Sequence, residues 1–399
     1  MRKLMVAVGL LAVVSLSGCI GVVMDLLAPE IDNVVSDEKF KPDPDFAKGQ
    51  PQRLLARPLT AADIGKVPGV VWLEFIVGPK SNMGGTASGF MVEYAGKPHI
   101  VSAGHITKSR GRAFMAIYAY WSEGQKRPEE VEIVVADEAL DVALLRFKDP
   151  NFRYSGPYPP IGSSAALKKG DKIFPFGSPF GYDFSVREGV VTKLDFGLNH
   201  KGVTQPQLIM HDATCNPGDS GGPIFNELGE VVGITVMGIN PMAYSRFTTT
   251  ITGSIPIDDV KTVLRKAKKA GYVEHGRIGW KLYATAELNP LNYKDKGFPE
   301  PKRGGLMVYE LKSDGPAQEA GLNVGDIIIA IDGRAPANYN EAARYVLFEK
   351  DKADEVEVRV YRETHWVVQD IRRDEKGYWT VYYVPMMKPE ELFFKVKLE

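Results

Sequence analysis

The sequence predicts a mainly β chain with a smaller α+β domain at its end. Short β-rich runs recur at 70–77, 88–94, 99–102, 113–120, 130–135, 143–147, 172–176, 189–194, 207–211 and 231–237. Gly or Pro clusters separate most of them, in a chain that holds 40 Gly and 27 Pro. Many short strands at this spacing imply an all-β sandwich or barrel. A helix follows: Ile257, Val260, Val263, Leu264 and Ala267 share one face, Asp258 and Asp259 occupy the first turn, and Gly271 marks the stop. Beyond it strands alternate with short helices. Pro316 opens a helical turn that Gly321 closes, 327–331 is a strand, 340–348 a helix, and Val356, Val358 and Val360 alternate as a strand.

Composition narrows the function classes. A length of 399 residues suggests two or three domains, and 44 % apolar residues suffice for sizeable cores. Basic and acidic side chains nearly balance, 49 against 50, so no chain-wide basic field for nucleic acid exists. Two cysteines, Cys19 and Cys215, exclude a disulfide scaffold. No metal-ligand cluster and no nucleotide-binding loop of the Gly-rich Lys-Ser/Thr kind is present, so neither a metal nor another cofactor is expected.

The N-terminus reads as an address. Arg2 and Lys3 precede an apolar stretch at 4–16, which is too short to span a bilayer. It ends in Leu16-Ser17-Gly18-Cys19, which resembles a bacterial lipoprotein signal (residues 1–18) with Cys19 as the acylated first residue. Acyl chains such as palmitate would anchor the chain durably, at about 0.8 kcal/mol per buried methylene. Ile20 stands where an Asp would resemble an inner-membrane retention signal, which favours the outer membrane facing the periplasm in a two-membrane cell. With Cys19 acylated, Cys215 is expected to be a buried thiol with no partner in the chain. Residues 19–66, rich in Pro, Asp, Glu and Lys, read as a tether. The two domains are then 67–271 and 272–399.

Three strings carry chemistry: Val101-Ser102-Ala103-Gly104-His105-Ile106-Thr107, Leu140-Asp141-Val142-Ala143-Leu144-Leu145 and Asn216-Pro217-Gly218-Asp219-Ser220-Gly221-Gly222-Pro223. A serine hydroxyl is a poor nucleophile at neutral pH. It needs a base within hydrogen-bond reach, and that base needs an orienting carboxylate. His105, Asp141 and Ser220 would fill those roles. The glycines around Ser220 allow a tight loop whose N–H groups point at a developing oxyanion. Gly218 and Ser220 are the expected donors, with Asp219 between them shaping the loop. Singly, each string is also a plain turn or strand end; together, in the order His, Asp, Ser, they describe an acyl-transfer site. His99, His200, His211, His275 and His365 have no such context.

Residues 71–270 resemble a trypsin-like serine protease of the HtrA (Deg) type. Thr86-Ala87-Ser88-Gly89-Phe90, Gly177-Ser178-Pro179-Phe180-Gly181 and Glu188-Gly189-Val190-Val191-Thr192 match in order with the three strings. The resemblance implies a trypsin-like double β-barrel with the site between the barrels. Thr214 would floor the primary pocket, and Val236, Met237 and Gly238 would bind the substrate backbone as an added strand. With no Asp at the floor, small or medium apolar side chains are expected before the cut bond. The family usually has Asn before the nucleophile; this chain has Asp219, as digestive-type enzymes do. There the Asp pairs with a freed N-terminal amine. No activation sequence precedes residue 70, so Asp219 is expected to have another partner.

The last domain resembles a single PDZ domain, through Arg277-Ile278-Gly279-Trp280 and the run 313–333. N–H groups near Ile278, Gly279 and Trp280 would receive a peptide C-terminus beside the helix at 340–348. The aromatic tail 366–399 exceeds what a minimal PDZ domain needs. Together these resemblances imply an ATP-independent, lipid-anchored serine endopeptidase of the bacterial envelope acting on unfolded or damaged proteins. Trimers are expected from the family alone. Two rivals stay open: a chaperone or PDZ-type scaffold with a resting, misaligned triad, and an esterase.

Overall fold

The computed structural model describes residues 30–35, 40–48, 58–77, 84–110, 113–122, 125–182, 184–200, 203–239, 251–267, 271–285, 304–362, 365–373, 379–386 and 390–399. The proposed signal and Cys19 lie outside these residues. The chain divides into two compact units, Met1–Val273 and Glu274–Glu399.

The first unit opens with β1 (Glu30–Asp32) and α1 (Ala61–Ile64). Thr60 caps α1 in a reciprocal box with Asp63. A closed barrel follows, from β2 (Val70–Ile76), β3 (Thr86–Tyr94), β4 (Lys97–Ala103), β6 (Ala116–Tyr120), β7 (Glu129–Asp137) and β8 (Val142–Phe147), in the order β2-β3-β4-β8-β7-β6. The short β5 (Lys108–Arg110) pairs instead with β1. Val71, Leu73, Phe90, Ile100, Val101, Ile133, Leu144 and Leu145 are fully buried in the first unit's core. Alternation with exposed residues is weak in β3, β4 and β8, because these strands are covered on both faces.

Part of the expected tether is folded. Phe40 and Phe46 are buried at 4 % and 2 % exposure, with ring centroids 5.9 and 5.6 Å from Tyr94. Asp43 accepts from the Ala95 N–H at 2.9 Å, and the Tyr94 hydroxyl accepts from the Asp43 N–H. Asn33 bonds Phe114 N and Thr107 O. The Pro- and Asp-rich composition suggested a loose linker; the two phenylalanines override it by burying their rings.

The second barrel comprises β9 (Lys172–Gly177), β11 (Gly189–His200), β12 (Val203–His211), β13 (Pro223–Asn226), β14 (Val231–Ile239) and β15 (Ile251–Pro256). They run β9-β11-β12-β15-β14-β13, and β13 pairs back onto β9. The short β10 (Ser185–Val186) joins β9. Helix α2 (Ile257–Lys266) buries Ile257, Val260, Val263 and Leu264 as its period predicts. It ends before Gly271, because Ala267 turns extended at φ −52°, ψ 132°. Gly271, at φ +74°, is a close-approach residue instead: a Cβ there would collide with the Val134 carbonyl.

The second unit holds a five-stranded sheet, β16 (Trp280–Ala284), β17 (Leu306–Leu311), β18 (Ile327–Ile331), β19 (Glu355–Arg362) and β22 (Glu390–Lys397), in chain order across the sheet. Helices α3 (Pro316–Glu319) and α4 (Tyr339–Arg344) cover it, and Ala317, Ala342, Val346, Val356, Val358 and Val360 share one core with the strands. Strands β20 (His365–Arg373) and β21 (Trp379–Met386) pair as a separate hairpin. The 366–399 tail thus divides: β22 completes the sheet and the hairpin is an insertion before it.

Candidate active site

The imidazole is delivered by the end of β4. The strand passes into one 3-10 turn, Gly104–Thr107, which carries His105. Gly104 is required there, since a Cβ would lie 2.7 Å from Asp137 O and 2.8 Å from Val142 N. That contact sets His105 against the β7–β8 turn. Asp137 Oδ1 accepts from Leu140 N at 2.8 Å and tightens the turn, leaving Asp141 in the left-handed region at φ +55°. Asp141 Oδ1 accepts from the His105 backbone N–H at 2.6 Å, and its Oδ2 and Oδ1 stand 3.0 and 3.1 Å from Nδ1. This fixes the proton on Nδ1 and leaves Nε2 as the basic nitrogen. Burial opposes protonation of His105, but the charge and hydrogen bond of Asp141 outweigh it and hold the imidazole pKa above 6.5.

The hydroxyl arrives on a glycine-bounded turn. Asn216-Pro217-Gly218-Asp219 forms a turn closed by Asp219 N donating to Asn216 O at 3.0 Å, with Gly218 at φ +102°. Proline second and a positive-φ glycine third suit a type II turn. A Cβ on Gly218 would collide with the Ser178 carbonyl, and one on Gly221 with the Ser88 carbonyl, 2.6 Å from Ala103 N. The close fit of Gly221 against Ala103 brings the Ser220 loop to the end of β4, where His105 follows. Ser220 Oγ and His105 Nε2 are both buried and neither makes a hydrogen bond among the described residues. The carboxylate–imidazole pair is therefore formed, and the imidazole–hydroxyl link is not closed.

The first barrel clamps this loop. Ser88 N donates to Ser220 O at 2.8 Å, and Ser88 Oγ donates to Gly218 O at 2.7 Å. Ser178 N donates to Ser88 Oγ at 2.9 Å, and Ser102 Oγ donates to Ser88 O at 2.6 Å. All three serines are fully buried. Among the described residues the N–H groups of Gly218 and Ser220 have no acceptor, so both stay available to an oxyanion. The Asp219 N–H is committed to Asn216 and offers no donor, in keeping with a shaping role. Its carboxylate, on a residue 1 % exposed, pairs with Arg187 through two bonds of 2.7 Å. Sequence reasoning asked for such a partner without finding it, because no local pattern links positions 187 and 219.

The specificity residues are less confined. Thr214 is exposed and Val236 fully buried. The β14–β15 ladder slips by one residue between Thr235 and Met237, and beyond Ile234 β14 has no further register with β13. The stretch through Val236, Met237 and Gly238 thus has one edge on β15 and the other outside the β13 ladder, the arrangement an added strand requires. Behind it His211 is fully buried with Nε2 2.9 Å from Ser254 Oγ, and burial pushes its pKa down to about 4. Cys215 is buried, at 8 % exposure.

In the second unit Ile278 is core, 3 % exposed, and its carbonyl accepts from Ala317 N at 2.9 Å. Gly279 takes φ +78°, and Trp280 starts β16, the sheet edge. Ala342 of α4 and Leu282 of β16 belong to the same core, so edge and helix lie side by side.

Residues 87–234 match the trypsin-like peptidase domain family and residues 287–370 the PDZ domain family. The chain is 35 % identical over 212 residues to a probable periplasmic serine endoprotease DegP-like of Pseudomonas putida (strain W619), covering 51 % of this chain and 40 % of the relative. It is 29 % identical over 290 residues to the serine protease Do-like HtrA of Bacillus subtilis (strain 168), covering 70 % of this chain and 61 % of that one. It is similar to HtrA/DegP-type trypsin-like serine proteases that carry a PDZ domain. The solved structure of the HtrA-type protease AlgW with decapeptide shares the fold at TM-score 0.62 and 21 % identity, covering 86 % of this chain and 99 % of AlgW. The chain spans less than two thirds of the length of either curated relative.

Proposed function

We propose that this chain is an ATP-independent serine endopeptidase of the bacterial envelope that degrades unfolded or damaged proteins. The observation that carries the reading is the double grip of Asp141 on His105, with an unbonded Ser220 Oγ on the adjoining glycine turn. Ser220 would attack the scissile carbonyl while its proton passes to Nε2 of His105. Asp141 would hold the imidazolium, and the Gly218 and Ser220 N–H groups would hold the oxyanion. His105 would then return the proton to the leaving amine, and water would release the acyl group. Exposed β edges of unfolded chains suit the rim of β14, and free C-termini suit the edge of β16.

The finer parts of the proposal concern location and assembly. Residues 1–18 would be removed, and Cys19 would take up lipid. Acylation engages the Cys19 sulfur in a thioether and withdraws it from any disulfide. Homotrimers follow from the family resemblance, and DegP-like relatives named periplasmic support an envelope location. The open link between Ser220 and His105 favours a second reading, a resting scaffold or chaperone whose triad closes when substrate binds. Casein degradation by the full chain, compared with Ser220→Ala, tests the peptidase reading. Equal degradation by both would refute it, and labelling by a serine-reactive phosphonate only with added C-terminal peptides would identify the resting form.

A further inference from the structure

We infer that Arg187 is a positioning residue for the nucleophile loop, holding Gly218 and Ser220 in register through a buried two-point ion pair with Asp219. The inference rests on the peptidase reading. Asp219 lies next to Ser220 in the chain and is 1 % exposed. Its Oδ1 accepts from Arg187 Nη2 at 2.7 Å, and its Oδ2 accepts from Arg187 Nη1 at 2.7 Å and from Asn216 N at 2.8 Å. The backbone of Asp219 also closes the turn onto Asn216 O. Carboxylate and backbone thus both fix the loop that bears the two free N–H donors.

The site is built to receive this pair. A Cβ at Gly177 would stand 2.7 Å from Asp219 Oδ1, so the glycine makes room for the carboxylate. Arg187 is anchored by its own N–H to Pro175 O at 3.0 Å, between β10 and β11. Its side chain is 20 % exposed and its head is a planar fork that matches a carboxylate at two points. A buried carboxylate beside the nucleophile with no cation would force the turn to rearrange. The cation here comes from the chain interior and is present as soon as the barrel folds. The loop therefore needs neither a cut nor a freed N-terminal amine to order, unlike the digestive-type arrangement that an Asp before the serine otherwise suggests.

The test is a double-mutant cycle on the full-length chain, with wild type, Arg187→Gln, Asp219→Asn and the double variant. Ser220 labelling by a serine-reactive phosphonate is measured together with kcat and KM on a fluorogenic peptide. Each single variant should label at least about tenfold slower, with the loss in kcat and KM within about threefold. The double variant, with two neutral amides in place of two charges, should return to within about fivefold of wild type. A folded Arg187→Gln chain that labels like wild type, or a double variant as slow as the product of the singles, overturns the inference. Should Arg187→Gln fail to fold by near-UV circular dichroism, Arg187→Lys carries the test. A point cation should label faster than Asp219→Asn but slower than wild type, and a rate at either end overturns the inference. A wild-type chain that takes no label under any condition overturns the peptidase reading itself, whereas failures confined to the variants overturn the role of Arg187 alone.

Discussion

Asp141 holds His105 at two places, receiving the backbone N–H at 2.6 Å and standing 3.0 Å from the ring Nδ1. One carboxylate therefore sets both the position of the residue and the orientation of its ring.

This grip has a pH signature. Attack needs neutral His105, whose pKa Asp141 holds above 6.5. Activity should rise with pH through a midpoint above 6.5. Asp141→Asn should move that midpoint down and lower kcat by about 10³–10⁴-fold. The stability that the pair contributes has the opposite sense: a raised folded pKa makes it complete below the unfolded value and lost as pH rises through the folded one. A pH–rate profile flat between pH 5 and 8 would contradict His105 as the base.

Gly218→Ala should abolish most activity without unfolding the barrel. A side chain there meets the Ser178 carbonyl and forbids φ +102°. The turn must shift its N–H group, and kcat should fall by about 10²–10³-fold with little change in KM. Steady-state kinetics on a fluorogenic peptide read this directly, and an unchanged kcat would remove Gly218 from the oxyanion site.

Ser88→Ala removes a donor to Gly218 O and an acceptor for Ser178 N. All of these groups lie inside, so the loss should cost about 1–3 kcal/mol of stability. Phosphonate labelling should slow as well, because the loop loses its side-chain tie to the first barrel. Urea unfolding of the variant against wild type measures the first effect.

Acid should weaken the first unit through two histidines outside the site. Burial holds both His99 and His211 down near about 4. They stay neutral in the folded chain while the unfolded chain takes up protons near about 6.5. Stability is then full above the unfolded value and falls as pH drops through the folded one, by roughly 3 kcal/mol for each group. Denaturation midpoints at pH 7 and pH 4.5 check this, and His211→Gln should flatten the difference.

Phe46→Ala tests the folded arm. The ring is 2 % exposed against Tyr94, so its removal should cost about 3–5 kcal/mol. A thermal midpoint equal to that of wild type would show that the arm adds nothing to the barrel.

Much of the site was legible because its chemistry is written in short strings. His105 follows small residues at a strand end, and Ser220 sits among glycines whose need is local. The strands were legible where β-branched and apolar residues cluster. Pro223–Asn226 escaped because it is four residues long and starts with proline, and Ile251–Pro256 because Gly253 and Ser254 interrupt its apolar pattern. The partner of Asp219 escaped for a different reason. Arg187 meets it through the second barrel's fold, and nothing in either neighbourhood announces the pairing. Phe40 and Phe46 escaped because prolines and aspartates surround them, and composition averages over the two residues that decide the packing.

The pairing of β1 with β5 sets a leash. Glu30 is stitched to Arg110 on the first barrel, so a lipid at Cys19 could lie no farther from that point than the stretch between Cys19 and Glu30 can reach. Fully drawn out, that stretch spans roughly 40 Å. A chain so moored would be confined to a shallow layer next to its own bilayer.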